Sequence, residues 1–254
     1  MHQISDNLSH ARVGVVGAGR LGTALAAALH ELGIAVDGPT GRGETPRDCD
    51  AIVLCVPDGE IPAAAAAVVE AAPLVGHTSG ATPLSALAAS GAFGLHPLQT
   101  FTVDSSGLSA FTGAGCAVAG STAEALAFAA ALARALGMTP FEIDDAGRAA
   151  YHAAASMASN FVVTLQAAAE RVAAGAGLEA DEARRLLAPL LRRTVDNLAE
   201  LGPREALTGP VARGDDATVE VQRRAVADTA PELLDLFDEL VSQTRALAGA
   251  AVRA

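Results

Sequence analysis

Residues 12–22 read Arg-Val-Gly-Val-Val-Gly-Ala-Gly-Arg-Leu-Gly, an apolar run that passes through glycines into an alanine-rich helical pattern. In such a turn Gly17 permits the tight bend, Gly19 lets the backbone approach a pyrophosphate, and Gly22 lets the helix pack on the strand. The helix start offers free N–H groups and a partial positive charge. The stretch therefore predicts a dinucleotide-binding strand–turn–helix. Its predicted contacts are Gly17, Ala18, Gly19, Arg20, Leu21 and Gly22.

The first half of the chain alternates short β-like runs with helical patterns, as a parallel doubly wound sheet requires. We therefore predict an α/β Rossmann domain over residues 1–146. The predicted strands are Val13–Val16, Ile34–Asp37, Ala51–Val56, Leu74–Thr78, Ala92–Leu95, Gly115–Ala119 and Thr139–Ile143. The predicted helices are Leu21–Leu32, Ile61–Ala72, Pro83–Ala89 and Thr122–Leu136.

From about Gly147 the pattern becomes wholly helical, and the basic residues concentrate there. Apolar residues recur at helical spacing between Gly and Pro breaks, so residues 147–254 are predicted to form an all-α domain. The predicted helical stretches are Ala149–Ala174, Glu179–Leu201, Thr218–Thr229 and Glu232–Ala248.

Composition argues against several classes of protein. The net charge of −12 disfavours a general nucleic-acid surface or an anionic-membrane surface. The uncharged stretch Ala149–Ala169 is rich in alanine and polar side chains, which suits a protein interior better than lipid. Three widely spaced cysteines and an N-terminus without an export signal fit a reducing compartment. We expect a cytoplasmic protein that binds neither nucleic acid nor membrane.

The predicted second strand is followed by residues that bear on cofactor choice. Asp37 is a possible ligand of the ribose hydroxyls of NAD, whereas Thr40 and Arg42 follow where an adenosine 2′-phosphate would lie. Because a guanidinium binds phosphate well, NADP is preferred over NAD. Further cofactor contacts are predicted where two buried strands end, at Val56, Pro57 and Asp58 and at Ser79 and Gly80.

The polar residues His152, Ser156 and Asn160 recur at i, i+4 and i+8 in an apolar helical pattern, which predicts one shared face. They either satisfy one another in a core or face a reaction cleft, where an imidazole would be the best proton donor near neutral pH. His96 is a second candidate donor, because it follows a predicted strand and precedes Pro97.

A Gly/Pro-rich junction at residues 208–215 carries the candidate substrate-binding residues Thr208 and Arg213. Arg213 either grips a carboxylate or pairs with Asp215 to close the loop. The histidines and cysteines have no zinc-type spacing, and no Gly-x-Ser-x-Gly elbow is present, so neither a metal site nor a serine hydrolase is predicted.

These motifs together resemble the DUF2520 family, a Rossmann-like group within the broader set similar to 6-phosphogluconate dehydrogenase. The resemblance rests on Val13–Gly22, Val56–Asp58, His77–Gly80, Leu95–Phe101, Tyr151–Asn160 and Leu207–Asp215. It implies a helical domain that supplies a dimer interface. Many dehydrogenases of the broader group carry a catalytic lysine and, four residues later, an asparagine. Asn160 matches that asparagine, whereas Ser156 stands at the lysine position in a chain without lysine.

The resemblance implies an NADPH-dependent reductase of a small carbonyl compound that bears a carboxylate, with ketopantoate as the sharpest expectation. His152 or His96, or a water held by Ser156, would then replace the lysine, and Asn160 would hold the substrate. Two alternatives stay open. One is imine reduction of the pyrroline-carboxylate type, and the other is a sensor that binds NADP without turnover.

Overall fold

The computed structural model describes residues 8–249, and its chain divides into two compact units. The first ends at Ser159 and the second begins at Asn160. This division falls later than the boundary expected after residue 146. The reason is that the first helix of the wholly helical stretch, α4 (Arg148–Ala158), belongs to the unit that contains the sheet.

The first unit is built on a seven-stranded sheet in the order β2-β1-β3-β4-β5-β6-β7. Neighbouring strands from β2 to β5 are parallel, so the predicted α/β Rossmann fold is confirmed. The order reverses on either side of β1, which is where open sheets of this kind bind ligands. The strands are β1 Arg12–Val16, β2 Ala35–Thr40, β3 Ala51–Leu54, β4 Leu74–His77, β5 Ala92–Leu98, β6 Gly115–Gly120 and β7 Thr139–Glu142.

The prediction of a wholly parallel sheet is wrong at one junction. Strand β6 runs antiparallel to β5, and Leu98 at the end of β5 pairs with Gly115 at the start of β6. A parallel pair needs a crossover, usually a helix. The connection between these two strands contains only the short 3-10 helix Leu108–Ala110, so the chain re-enters the sheet at the edge from which it left.

Apolar side chains cover both faces of the sheet, and β3 illustrates how. Ala51 and Val53 belong to the core beneath α1 and α3, whereas Ile52 and Leu54 belong to the core beneath α2. The helices of this unit are α1 Arg20–Glu31, α2 Ile61–Val68, α3 Ala123–Ala135 and α4. The predicted helix Pro83–Ala89 is only the 3-10 helix Leu84–Leu87.

The second unit is helical, as predicted. It contains α5 Asn160–Ala173, α6 Ala180–Leu201, α7 Pro210–Arg213, α8 Asp216–Thr229 and α9 Leu234–Gly249. The expected continuous helix Ala149–Ala174 is broken, because α4 ends at Ala158 and Ser159 leaves the helical conformation. Within residues 8–249, no helix combines the length and the apolar character needed to cross a membrane.

Candidate active site

The glycine turn after β1 has the geometry that its sequence predicts. Gly17 has a φ of 107°, and a β-carbon there would lie 2.4 Å from the carbonyl oxygen of Cys55. A β-carbon at Gly22 would lie 1.9 Å from the carbonyl oxygen of Gly17. The protein itself therefore requires glycine at both positions. At Gly19 a β-carbon would meet no protein atom within 4 Å, so this glycine leaves open space in front of α1.

That space belongs to a cleft of about 780 Å³ at the carboxyl ends of β2, β1 and β3. Helix α1 points its N-terminus at the cleft, and no side chain caps it at Gly19. Seven of the predicted cofactor contacts line the cleft, namely Gly17, Ala18, Gly19, Thr40, Arg42, Val56 and Pro57. The open space and the uncapped helix together fit a pyrophosphate.

The other predicted cofactor contacts lie beside this cleft rather than on its wall. Arg20, Leu21 and Gly22 form the first turn of α1, and Arg20 donates to the carbonyl oxygen of Phe101 over 3.4 Å. Asp58 is exposed at the start of a 3-10 helix. Ser79 is buried, and its hydroxyl accepts hydrogen bonds from the backbone of Ala81 and Thr82. The Ser79 side chain is thus used to fold its own loop.

Two charged residues at the cleft already have partners. An Arg42 guanidinium nitrogen lies 2.6 Å from a carboxylate oxygen of Glu60, and both residues line the cleft. The Asp37 carboxylate instead accepts from the backbone N–H of Arg47 over 2.9 Å and lies 3.5 Å from Arg12. Both contacts use the Oδ2 oxygen of Asp37.

Strand β5 extends beyond its last pairing with β4, at His77 and Gly94, and so carries His96 alongside the loop that leaves β4. A β-carbon at Gly80 in that loop would lie 2.9 Å from Cε1 and 3.0 Å from Nε2 of His96. The same β-carbon would lie 2.9 Å from Cδ2 of His152. Gly80 thus leaves a narrow space between two imidazole rings whose centres are 6.1 Å apart.

Tyr151 on α4 bonds the far side of His96. Its hydroxyl oxygen lies 2.6 Å from Nδ1 of His96, and the two rings are perpendicular. Burial and the nearby His152 lower the pKa of His96 to about 4, while burial raises the pKa of Tyr151 to about 12. Both groups are therefore uncharged at neutral pH.

Arg148, at the start of helix α4, lies beside strand β5. The side chain is buried, and its Nε donates to Asp145 over 2.7 Å. One terminal nitrogen lies 3.1 Å from where a Gly94 β-carbon would be. The buried guanidinium thus lies at the first turn of the helix that carries Tyr151, His152 and Ser156.

The candidate residues from the second half of the sequence are not all brought together. Ser156 lies one turn after His152 on α4 and is half-buried. Asn160 begins α5 in the second unit, so the predicted single helical face through all three residues is wrong. Thr208 and Arg213 are exposed in the second unit. Asp215 accepts hydrogen bonds from the backbone N–H and the hydroxyl of Thr218 and so caps α8. These bonds and the nearby charge of Arg213 lower the pKa of the Asp215 carboxyl.

Sequence reasoning missed Tyr151 and Arg148 as parts of the site. Tyr151 is the sole tyrosine of the chain and precedes His152, which was the available signal. Its partner His96 lies 55 positions away in sequence, however, and no local pattern joins a strand to a helix over that distance.

Comparisons with known proteins agree with this architecture. The family model described as a domain of unknown function, DUF2520, matches residues 114–244. A candidate NADP oxidoreductase from Bacteroides fragilis superposes with a TM-score of 0.78 at 24% identity, covering 94% of this chain and 99% of its own. A Thermotoga maritima protein whose name states no activity gives 0.76 at 25%, covering 95% and 100%.

A more distant match is the pyrroline carboxylate reductase of Plasmodium falciparum, solved with NADP bound. Its TM-score is 0.60 at 12% identity, with 95% of this chain and 99% of that chain covered. No curated protein matches the chain by sequence. At these identities the solved structures establish the fold, and the family match confirms the resemblance drawn from the motifs.

Proposed function

This chain belongs to the DUF2520 family, and from that premise and the geometry of the site we propose that it is an NADPH-dependent reductase. The observation that carries the proposal is one continuous edge of the sheet. The glycine turn, the cleft and the Gly80 space follow one another at the carboxyl ends of β1, β3, β4 and β5. Neighbouring strands lie about 4.8 Å apart, so the ends of these four strands form one row about 14 Å long.

Different residues of the cleft would bind different parts of the cofactor. The N-terminus of α1 and the backbone of Gly17 and Gly19 would hold the pyrophosphate. Thr40 and Arg42 would hold the 2′-phosphate, because a guanidinium binds phosphate through charge-assisted hydrogen bonds. Val56 and Pro57 would contact the nicotinamide ribose. When bound, the cofactor supplies a hydride, and His96 or His152 supplies the proton from either side of Gly80.

We further propose that the substrate is a 2-oxo acid such as ketopantoate, reduced to the 2-hydroxy acid. The uncharged imidazole of His96 suits a ketone, whose oxygen needs a proton as it is reduced. Asn160, Arg213 and Thr208 are proposed to bind the carboxylate, with Ser156 beside the reacting group.

Imine reduction is the second candidate, and the similarity to a pyrroline carboxylate reductase fold favours it. A sensor that binds NADP without turnover is a third reading, supported by the absence of lysine from the chain.

The test is NADPH oxidation, followed by absorbance, with ketopantoate, other 2-oxo acids and pyrroline-5-carboxylate. Calorimetric titration of NADPH and NADH accompanies it. Turnover of 2-oxo acids supports the leading proposal, whereas turnover of the cyclic imine alone favours the second. Tight NADPH binding without turnover of any compound favours the sensor, and failure to bind either nucleotide overturns all three.

We propose in addition that the second unit forms a homodimer in the cytoplasm. Its buried apolar residues are few, among them Val219 and Val226, while α6 exposes a stripe of large side chains. The stripe consists of Leu186, Leu190, Leu198 and Leu201, which are 47–65% exposed and share one helical face. Such a surface is typical of an interface. Light scattering of a Leu190→Gln/Leu198→Gln variant should show a monomer, whereas Val221→Gln on α8 should remain dimeric.

A further inference from the structure

His96 is held from one side and open on the other. Nδ1 is occupied by the Tyr151 hydroxyl at 2.6 Å, while Nε2 and Cε1 are the His96 atoms nearest to the Gly80 position. The Tyr151 ring is itself fixed, because it packs edge-on against both His96 and Phe141. The imidazole can therefore turn little, and its free nitrogen faces the space where a small substrate would fit.

We propose that Tyr151 is a positioning residue that keeps His96 in the Nε2–H tautomer and passes its own proton through the ring to the substrate oxygen. This proposal rests on the reductase function proposed above. It selects His96 over His152 as the catalytic donor, because the atom that His152 presents to the Gly80 position is the carbon Cδ2.

The need for a relay follows from the state of His96. A buried imidazole with a pKa of about 4 carries no extra proton at neutral pH, so it cannot act as an imidazolium acid. Neutral imidazole gives up its Nε2 proton readily only if Nδ1 gains one at the same time. Tyr151 is the group placed to provide it.

In the proposed proton transfer, each bond that forms is matched by a bond that breaks. The carbonyl carbon would gain a C–H bond from the hydride that NADPH loses on oxidation to NADP+, the C=O π bond would break, and the oxygen would become an alkoxide. The Nε2–H bond of His96 breaks as the product O–H bond forms, and the Tyr151 O–H bond breaks as Nδ1–H forms. The histidine ends neutral and the tyrosine ends as tyrosinate, a much weaker base than an alkoxide. Water then reprotonates the tyrosinate.

The first test does not depend on activity. Nitrogen NMR of the full chain labelled at histidine, with His96 assigned by loss of its signals in His96→Gln, reports which ring nitrogen carries hydrogen. We expect the Nε2–H tautomer in the wild type and a mixture in Tyr151→Phe, which keeps the ring packing. An Nδ1–H tautomer in the wild type would overturn the proposal even if the protein proves to be a reductase.

The second test is the pH profile of turnover. Wild-type kcat should be nearly constant between about pH 6 and 9, because neither relay group titrates there. Tyr151→Phe should lower kcat by roughly a hundredfold at neutral pH with KM little changed, and its residual rate should rise as pH falls and His96 becomes protonated.

Thr139→Val removes an exposed hydroxyl from β7 and is the control that should keep the wild-type profile. A Tyr151→Phe variant with wild-type kcat and a flat profile would refute the relay. If the wild type turns over no substrate, the function proposed above has failed, and the tautomer measurement still decides the role of Tyr151.

Discussion

Arg42 is shared between the protein and the proposed cofactor. Its partner Glu60 lines the same cleft, so the Glu60 carboxylate occupies the guanidinium that a 2′-phosphate would use. Because both side chains are substantially exposed, their mutual attraction is weak, on the order of 1 kcal/mol or less. A phosphate, with more charge and three acceptor oxygens, should displace Glu60 readily.

Substitutions at this pair should therefore change cofactor preference. Arg42→Ala should weaken NADPH binding by roughly tenfold or more, because the charged hydrogen bond to the 2′-phosphate is lost. NADH carries no 2′-phosphate, so its affinity should stay nearly unchanged. Glu60→Gln should strengthen NADPH binding by up to about fivefold. Calorimetry of both nucleotides measures these effects, with Arg47→Ala in the same loop as the control. Equal losses for NADPH and NADH in Arg42→Ala would contradict the assignment.

Gly80 allows a more direct test of the reaction centre than Arg42 does. Its backbone does not require glycine, because its φ lies outside the left-handed range, but a methyl group would come within 3.0 Å of both imidazole rings. Gly80→Ala should therefore push His96 and His152 apart and lower kcat by at least tenfold through misalignment. Thermal stability and NADPH affinity should stay close to wild type. A fully active Gly80→Ala enzyme would place the chemistry elsewhere.

Among the elements, helix α4 begins with a buried charged residue, Arg148. Arg148 joins it to Asp145 and to the sheet at Gly94. Arg148→Met keeps most of the apolar stem and removes the charge, and it leaves Asp145 with the hydrogen bond from the backbone N–H of Leu84. Because Asp145 is 45% exposed, we expect a loss of only about 1–3 kcal/mol in the free energy of unfolding. Urea denaturation measures this loss, and Arg134→Met on α3 is the control. A loss no larger than that of the control would show that α4 is anchored by other contacts.

How far the sequence predicts these elements depends on the kind of signal. All seven strands are found within a few residues of their predicted bounds, because each is an apolar run between turn residues. The reversed direction of β6 depends on where the preceding loop returns to the sheet, and the break at Ser159 interrupts an otherwise helical pattern. Neither feature can be predicted from local periodicity. In the site, the glycine turn and His96 follow from sequence. The Tyr151–His96 pair requires a strand and a helix to meet in space.

At the scale of the whole molecule, buried histidines make stability depend on pH. Burial lowers the pKa of both His77 and His96 to about 4. Between about pH 6.5 and 4 the unfolded chain binds more protons than the native one, so stability is full above this window and is lost as pH falls. The loss should be about 2 kcal/mol per histidine by about pH 5.

Urea denaturation at about pH 7.5 and pH 5 measures that loss. His77→Asn keeps an acceptor for the backbone N–H of Ser79 but cannot titrate, so it should remove about half of the histidine contribution. The comparison with His30→Asn, an exposed residue of α1, corrects for general effects of acid. An unchanged pH dependence in His77→Asn would show that carboxylates cause the acid sensitivity.

Helix α1 begins at Gly19 without a side-chain cap. A nucleotide bound there would accept hydrogen bonds from the free N–H groups of the first turn. Its binding would then increase the free energy of unfolding. At a concentration a hundredfold above its Kd, this adds about 2.7 kcal/mol to the stability of the chain. The amount of this protein in a cell would then follow the supply of its nucleotide, since a chain deprived of it unfolds more often and meets proteases sooner. Depletion of that nucleotide would thus shorten the lifetime of the protein.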